Sequence, residues 1–352
     1  MTTSIRALRT VALVAACGGF IALAPSDARA ITFGEPDCLD NAANVGCRHP
    51  NTVSLSGFRA PRAGENVDGV GFGRCSGSLL AKDDERVIIL TAGHCVSFYI
   101  AGLADGTLID VGVSFDAEIE RDIPDISASS WTPRQYVLGA LPVLTEEYGP
   151  QGLNAFNLQF DYGVIVLPLS GGALVTHGGE IVDLTGIEPV ILPHPQFLRS
   201  IANVRDPAVF TVVGYGVGEA HKRPREGGNK GGAVNDLSKL GVRWTTTGTA
   251  YITFMGPDQN LMMGSQNPAR DYTGACGGDS GGPVFHDDNG VDLQVAITSS
   301  GDAICRGSAI MARTDTPEIQ AFLGCVLAAP TVDDIGLCGC TDVDRQGECP
   351  KP

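Results

Sequence analysis

The 352-residue chain carries 40 Asp and Glu against 24 Lys and Arg, a formal net charge of -16. So acidic a balance argues against nucleic-acid binding, which needs basic patches, and it favours solubility. With 43% hydrophobic residues, 46 glycines and 21 prolines, there is apolar material for a large core and turn material for many short elements.

Residues 1–30 fall into three zones. Arg6 and Arg9 lie in a polar start, Val11 to Ala24 is an apolar run, and Ala28-Arg29-Ala30 closes the segment. This layout predicts a secretory signal cut after Ala30, and hence an extracellular or periplasmic protein. The run is short and broken by Gly18 and Gly19, which argues against a membrane span, and no later stretch resembles one. A second reading of the same segment makes Cys17 a lipid-anchored terminus. Cleavage after Ala30 removes three arginines and one aspartate and takes the charge from -16 to -18.

Eleven cysteines are present, and ten remain once Cys17 is removed. An even count in an exported chain predicts about five disulfides. Cys38–Cys47 would close the loop "CLDNAANVGC", and Cys95 can be tied to Cys75 of "RCSGSLL". Short β-rich runs then follow one another: Arg86–Ala92, Leu108–Phe115, Tyr162–Leu169, Ala208–Gly216 and Leu293–Ser300. Gly, Pro, Asn and Asp punctuate them, an all-β signature. Val113–Gln135 reads as an inserted acidic connection and His221–Gly232 as a basic, glycine-rich surface loop.

Helical periodicity is confined to "DTPEIQAFLGCVL", with Asp315 or Thr316 as its cap. Residues 326–352 form an acidic tail, a stapled appendage to the main domain at 31–325. Cys338 and Cys340 are too close in sequence to bond each other well. Cys325 therefore pairs with one of them and Cys349 with the other. Zinc at Cys338 and Cys340 is the rival reading, but no histidine cluster accompanies them. No acidic stretch has a calcium-ligand spacing, and no metal or cofactor is expected.

Three motifs carry chemistry. In "GACGGDSGGP", glycines flank Ser280, leaving room for a substrate carbonyl and letting the amides of Gly278 and Ser280 aim at one point. A serine hydroxyl is a poor nucleophile without an adjacent base. "LTAGHC" offers His94, where a buried strand ends. "FDYGVIVL" offers Asp161, an acid beside an apolar strand that is costly to bury unless hydrogen-bonded, for which an imidazole N–H would serve. His49, His177, His194, His221 and His286 have no such context. Gly278-Asp279-Ser280-Gly281-Gly282 also fits the α/β-hydrolase elbow, G-x-S-x-G. That fold needs a histidine well after the serine, and only His286 follows.

"TAGHC", "DYGVIVL" and "GDSGGP", in that order, closely resemble the trypsin/chymotrypsin family of serine endopeptidases. "TVVGYGVG", "AITSSG" and "SQNPA" are similar to further family stretches, the last to bacterial secreted members. The resemblance covers roughly Ile31 to Cys325. It implies two six-stranded antiparallel Greek-key barrels with a C-terminal helix. It also implies a triad of His94, Asp161 and Ser280, an oxyanion hole of Gly278 and Ser280 amides, and a Cys276–Cys305 disulfide beside the specificity pocket. Substrates would be proteins or peptides, and the protein a monomer. A catalytically silent, protease-like binding protein is the alternative, though no triad residue is missing.

The same resemblance gives Asp279 a partner, the free N-terminal amine exposed by proteolysis. Ile31-Thr32-Phe33-Gly34 stands where the family has Ile-Val-Gly-Gly, so removal of the signal would itself release the amine of Ile31. Phe33 and the long stretch from Ile31 to Cys75 depart from the family pattern. Activity would then fall above roughly pH 8, where an α-amine deprotonates. The pocket base carries Gly274 and Ala275 where trypsin-like members have an acid, and Ser299-Ser300-Gly301 replaces Ser-Trp-Gly on the wall. A neutral pocket for small or apolar side chains is expected, with Asp302 near its entrance.

Overall fold

The computed structural model describes residues 34–120, 131–148, 160–169, 171–201, 208–217, 220–222, 233–235, 240–246, 249–254, 261–265, 273–301, 305, 307–343 and 349. The expected signal segment, Ile31, Asp302 and most of the basic loop at 221–232 lie outside them.

A two-residue strand, β1 (Glu35–Pro36), comes first, then β2 (Thr52–Arg59), β3 (Val70–Lys82) and β4 (Arg86–Thr91). Helix α1 (Gly93–Asp105) and strands β5 (Asp110–Ser114), β6 (Leu141–Leu144) and β7 (Gly163–Pro168) follow. These build a six-stranded antiparallel sheet ordered β5-β2-β3-β4-β7-β6. Its central strands, "RVIILT" and "GVIVLP", are apolar without alternation because both faces are covered. On β2 the alternation survives. Val53 and Leu55 enter the core, while Ser54 and Ser56 meet Tyr136 and Trp131 through hydroxyl hydrogen bonds.

A small hairpin, β8 (Leu174–Val175) and β9 (Ile181–Val182), and helix α2 (Phe197–Ile201) lead to the second half. There lie β10 (Val209–Gly214), β11 (Ala220–Lys222), β12 (Ala233–Asn235), β13 (Trp244–Thr245) and β14 (Thr249–Phe254). Strands β15 (Leu261–Ser265), β16 (Pro283–Asp288), β17 (Val291–Gly301) and β18 (Ser308–Arg313) complete it. The main ladder runs β1-β13-β10-β14-β15-β18-β17-β16, and β16 also pairs with β10. The all-β class therefore holds, in curled antiparallel sheets. Two closed six-stranded barrels go beyond what the ladders give. At the open side of the first sheet, β5 meets the stretch that precedes β6, through the Val113–Val137 bridge and the Ala140 amide on the Val111 carbonyl, and the second sheet gains β1 and β13 as extra strands.

The sheets meet where β3 faces the second half. The Ser78 hydroxyl donates to Gln294 at 2.8 Å, and the Tyr215 hydroxyl donates to the Asp116 carbonyl at 2.8 Å with the Thr52 carbonyl at 3.2 Å. At the N-terminus, buried Asp37 accepts from Arg243 at 2.9 Å and from the amide of His49, fixing β1 against β13.

Five disulfides are present: Cys38–Cys47, Cys75–Cys95, Cys276–Cys305, Cys325–Cys338 and Cys340–Cys349. The open choice in the tail is thereby resolved, with Cys338 and Cys340 in separate bonds. The expected terminal helix is α3 (Pro317–Ala328), and Ile319, Phe322, Leu323 and Val326 join the first core. Thr316 is its N-cap residue without a side-chain cap bond, and Asp315 instead pairs with buried Arg313. After α4 (Val332–Ile335), the chain returns to β6. Leu144 and Cys340 exchange two backbone hydrogen bonds of 2.9 and 2.8 Å. What the sequence presents as an appendage thus covers an open sheet edge, a common protection of exposed strands.

Candidate active site

Strand β4 hands over directly to α1, and His94 lies in the first helical turn. A helix there was not visible in the sequence. Gly93 must be glycine, because a β-carbon would lie 2.8 Å from the Tyr148 ring and 2.9 Å from the Tyr162 amide. That contact presses the turn onto Asp161. The amide of His94 donates to Asp161 Oδ1 at 2.7 Å, and the ring Nδ1 lies 2.8 Å from Oδ2 and 3.1 Å from Oδ1. The Cys75–Cys95 disulfide ties the same turn to β3.

Asp161 is fully buried and receives a third donor, the Ser299 hydroxyl. Burial alone would raise its pKa, but the charge of His94 and these hydrogen bonds outweigh it and the pKa lies below the usual carboxylate value. Burial likewise presses the His94 pKa down, and the Asp161 charge and hydrogen bond reverse this, leaving it above 6.5. The His94 side chain remains 36% exposed, so with Nδ1 held by Asp161 its other nitrogen is left for a substrate-side partner.

Ser280 sits on a glycine turn packed against this one. Gly281 has φ +83°, and a β-carbon there would overlap the Thr91 hydroxyl and the Ser76 carbonyl and come within 2.8 Å of the Ala92 amide. The Ser280 carbonyl accepts from the Ser76 amide at 2.7 Å, with Cys95 Sγ at 3.8 Å. His94, Asp161 and the Ser280 turn are therefore brought to one place.

The backbone around Ser280 is aimed by its carbonyls. Gly277 O accepts from the Val217 amide and Asp279 O from the Gly282 amide, both at 2.8 Å. In trans peptides the next N–H points the opposite way. The Gly278 and Ser280 amides therefore face away from these bonds, and among the described residues neither has an acceptor. Two free, half-buried donors beside a serine suit a developing oxyanion. Gly278 holds φ +98°, a conformation open to glycine.

Asp279, fully buried, accepts from the Gly216 amide at 2.7 Å and the Cys276 amide at 2.8 Å. Burial dominates over these two bonds and pushes its pKa up to about 7. No cation meets it among the described residues. The expected partner Ile31 lies outside them.

Of the residues expected to line a pocket, Gly274 and Ala275 are buried, Ala275 within the second sheet's core. Ser300 is half-buried and Gly301 exposed at the end of β17, close to the Ser308 carbonyl. Ser299 was expected on the pocket wall, yet its hydroxyl is turned to Asp161. Ser76, Thr91, Gly216 and Val217 also brace the site through backbone or hydroxyl groups, and in the sequence they are signalled only by place, Ser76 beside Cys75, Thr91 inside "LTAGHC", Gly216 and Val217 at "GYG". The two described clusters of possible metal ligands, Cys75-His94-Cys95 and Asp37-Cys38-Cys47, have their sulfurs in disulfides.

No protein-family model and no curated protein matches the chain.

Proposed function

We propose that this protein is an exported serine endopeptidase of the trypsin/chymotrypsin type. The observation that carries the reading is the convergence of the Asp161–His94 pair, the Ser280 turn packed on the His94 turn, and two amides without acceptors among the described residues.

In the proposed mechanism the Ser280 hydroxyl attacks the scissile carbonyl carbon and its proton passes to His94 Nε2. Asp161 keeps the imidazole in the tautomer that accepts this proton and stabilises the imidazolium. The carbonyl oxygen becomes an oxyanion between the Gly278 and Ser280 amides, each donor worth about 3 kcal/mol in comparable sites. His94 then protonates the leaving amine, and an acyl-Ser280 intermediate remains. Water, deprotonated by His94, hydrolyses that ester and restores Ser280.

Several finer readings accompany this one. Gly274 and Ala275 leave the pocket without a carboxylate, which favours small or apolar residues before the scissile bond. The Cys276–Cys305 disulfide braces that pocket. Signal removal after Ala30 releases the Ile31 amine for Asp279. The five disulfides fit an oxidising, extracytoplasmic compartment. No described helix is long and apolar enough to cross a membrane.

A fluorophosphonate probe tests the core of the reading. Wild-type protein is expected to be labelled at Ser280 and to hydrolyse peptide substrates, and Ser280→Ala to lose both. A wild-type chain that is neither labelled nor active would overturn it.

A further inference from the structure

We propose that Ser76 is a positioning residue for oxyanion stabilisation, an inference that rests on the endopeptidase reading above. Ser76 is fully buried on β3, and every polar atom it has is spent on a different part of the site. Its amide donates to the Ser280 carbonyl at 2.7 Å. Its carbonyl accepts from the Thr91 hydroxyl at 2.7 Å, at the end of the strand that leads to His94. Its own hydroxyl accepts from the Tyr215 amide at 3.0 Å and donates to the Gly278 carbonyl at 3.1 Å. An amide can only donate, so the Tyr215 contact fixes the hydroxyl's role and leaves its single proton for Gly278.

The consequence lies in which peptide is held. Three consecutive peptide units span Gly277 to Ser280. The outer two carry the Gly278 and Ser280 N–H groups, and the middle one carries the Gly278 carbonyl. The segment reads Gly-Gly-Asp-Ser-Gly-Gly, whose glycines restrain the backbone least. The outer peptides are held by Val217 and Gly282, and the middle one is held on both sides, its N–H by the Cys276 carbonyl at 3.1 Å and its carbonyl by the Ser76 hydroxyl at 3.1 Å. The middle peptide carries ψ of Gly278 and φ of Asp279, two of the torsions that set the outer N–H groups relative to each other, so holding its carbonyl restrains how both are aimed. The same hydroxyl engages Tyr215, whose neighbour Gly216 holds the Asp279 carboxyl. Ser76 thus links the floor of the loop to the loop itself.

The test compares wild type with Ser76→Ala and Ser76→Gly, two smaller residues that cannot clash. All rates are normalised to active sites titrated with the fluorophosphonate. Loss of the hydroxyl leaves two buried groups unpaired, and kcat is expected to fall about tenfold to a hundredfold while KM changes less than about twofold. Affinity for a peptide aldehyde, which forms a hemiacetal oxyanion on Ser280, should fall by a similar factor, and the pH midpoint set by His94 should stay in place. If both variants have lowered thermal midpoints but wild-type kcat and aldehyde affinity per titrated site, Ser76 is only structural and the proposal fails. If one variant does not fold, the other decides. A wild-type protein that is never labelled overturns the endopeptidase reading instead, a distinct outcome.

Discussion

At the residue scale, the behaviour of the site turns on Asp161. A buried carboxylate without partners would take up a proton, and here three donors keep it charged. Its lowered pKa means that its contribution to stability is present above the ordinary value of 3.8 and is lost as pH falls through the folded value. The raised pKa of His94 has the opposite sign. Its contribution is full below 6.5 and is lost as pH rises through the folded value. The proposed mechanism needs neutral His94, so kcat/KM should rise with pH with a midpoint above 6.5, measured with a neutral peptide substrate. Asp161→Asn should lower kcat by about ten-thousandfold, as in the trypsin-type triad, and move that midpoint to lower pH. Ser299→Ala removes one donor to the carboxylate and should lower kcat about tenfold with little change in KM. An unmoved pH midpoint in Asp161→Asn would show that His94 does not owe its basicity to Asp161.

At the element scale, both flanks of Asp161 are buttressed from the C-terminus. Phe322 of α3 packs on Tyr162, with ring centroids 5.6 Å apart, and the Cys340 backbone pairs with Leu144 at the end of β6. Strand β6 runs on toward Tyr148, whose ring lies on Gly93 beside His94. Arg86 on β4 donates to the carbonyls of Ala329 and Thr331, adding a second anchor for the tail. Replacing Cys340 and Cys349 together with Ser should therefore cost about 2–3 kcal/mol, read from the urea midpoint, and lower activity by the same unfolding transition. An unchanged midpoint would return the tail to a loose appendage. These elements also mark where sequence reading stopped. That Ser280, His94 and Asp161 belong to one candidate site was legible because a nucleophile, base and acid of the proposed kind would demand fixed neighbours. Helix α1 was not, since "CVSFYIAGL" is apolar on most sides and six of its thirteen residues besides Gly93 are buried, which erases the helical period. The tail's pairing stayed open because the choice between Cys338 and Cys340 depends on β6, which is distant in sequence.

At the scale of the whole molecule, the proposed Ile31 amine would have to reach a carboxylate about 250 residues away in sequence. The ladder sets the distance. Pro36 pairs with Trp244, Trp244 pairs with Gly214, and a β-carbon on Gly214 would overlap the Asp279 carboxyl. Two strand spacings amount to about 10 Å. Residues 31–33, leading out of buried Gly34, can span a similar length of about 10 Å when extended. The Asp37–Arg243 pair holds the base of that lead in place. Without a cation, Asp279 has a pKa of about 7 against 3.8 when free, so any stability it gives is full below 3.8 and is lost as pH rises through about 7. That difference corresponds to about 4 kcal/mol. With the Ile31 ammonium beside it the carboxylate stays ionised, this loss disappears, and activity should instead decline above about pH 8 as the amine deprotonates. A chain beginning at Ile31 and one extended by Gly-Ser before it should separate the two cases. The extended form should lose stability between about pH 4 and 7 and have low kcat, and the Ile31 form should not. Equal stability profiles and equal kcat would mean that the oxyanion amides are set without the N-terminus, by Ser76 and the amides of Gly216 and Cys276 alone.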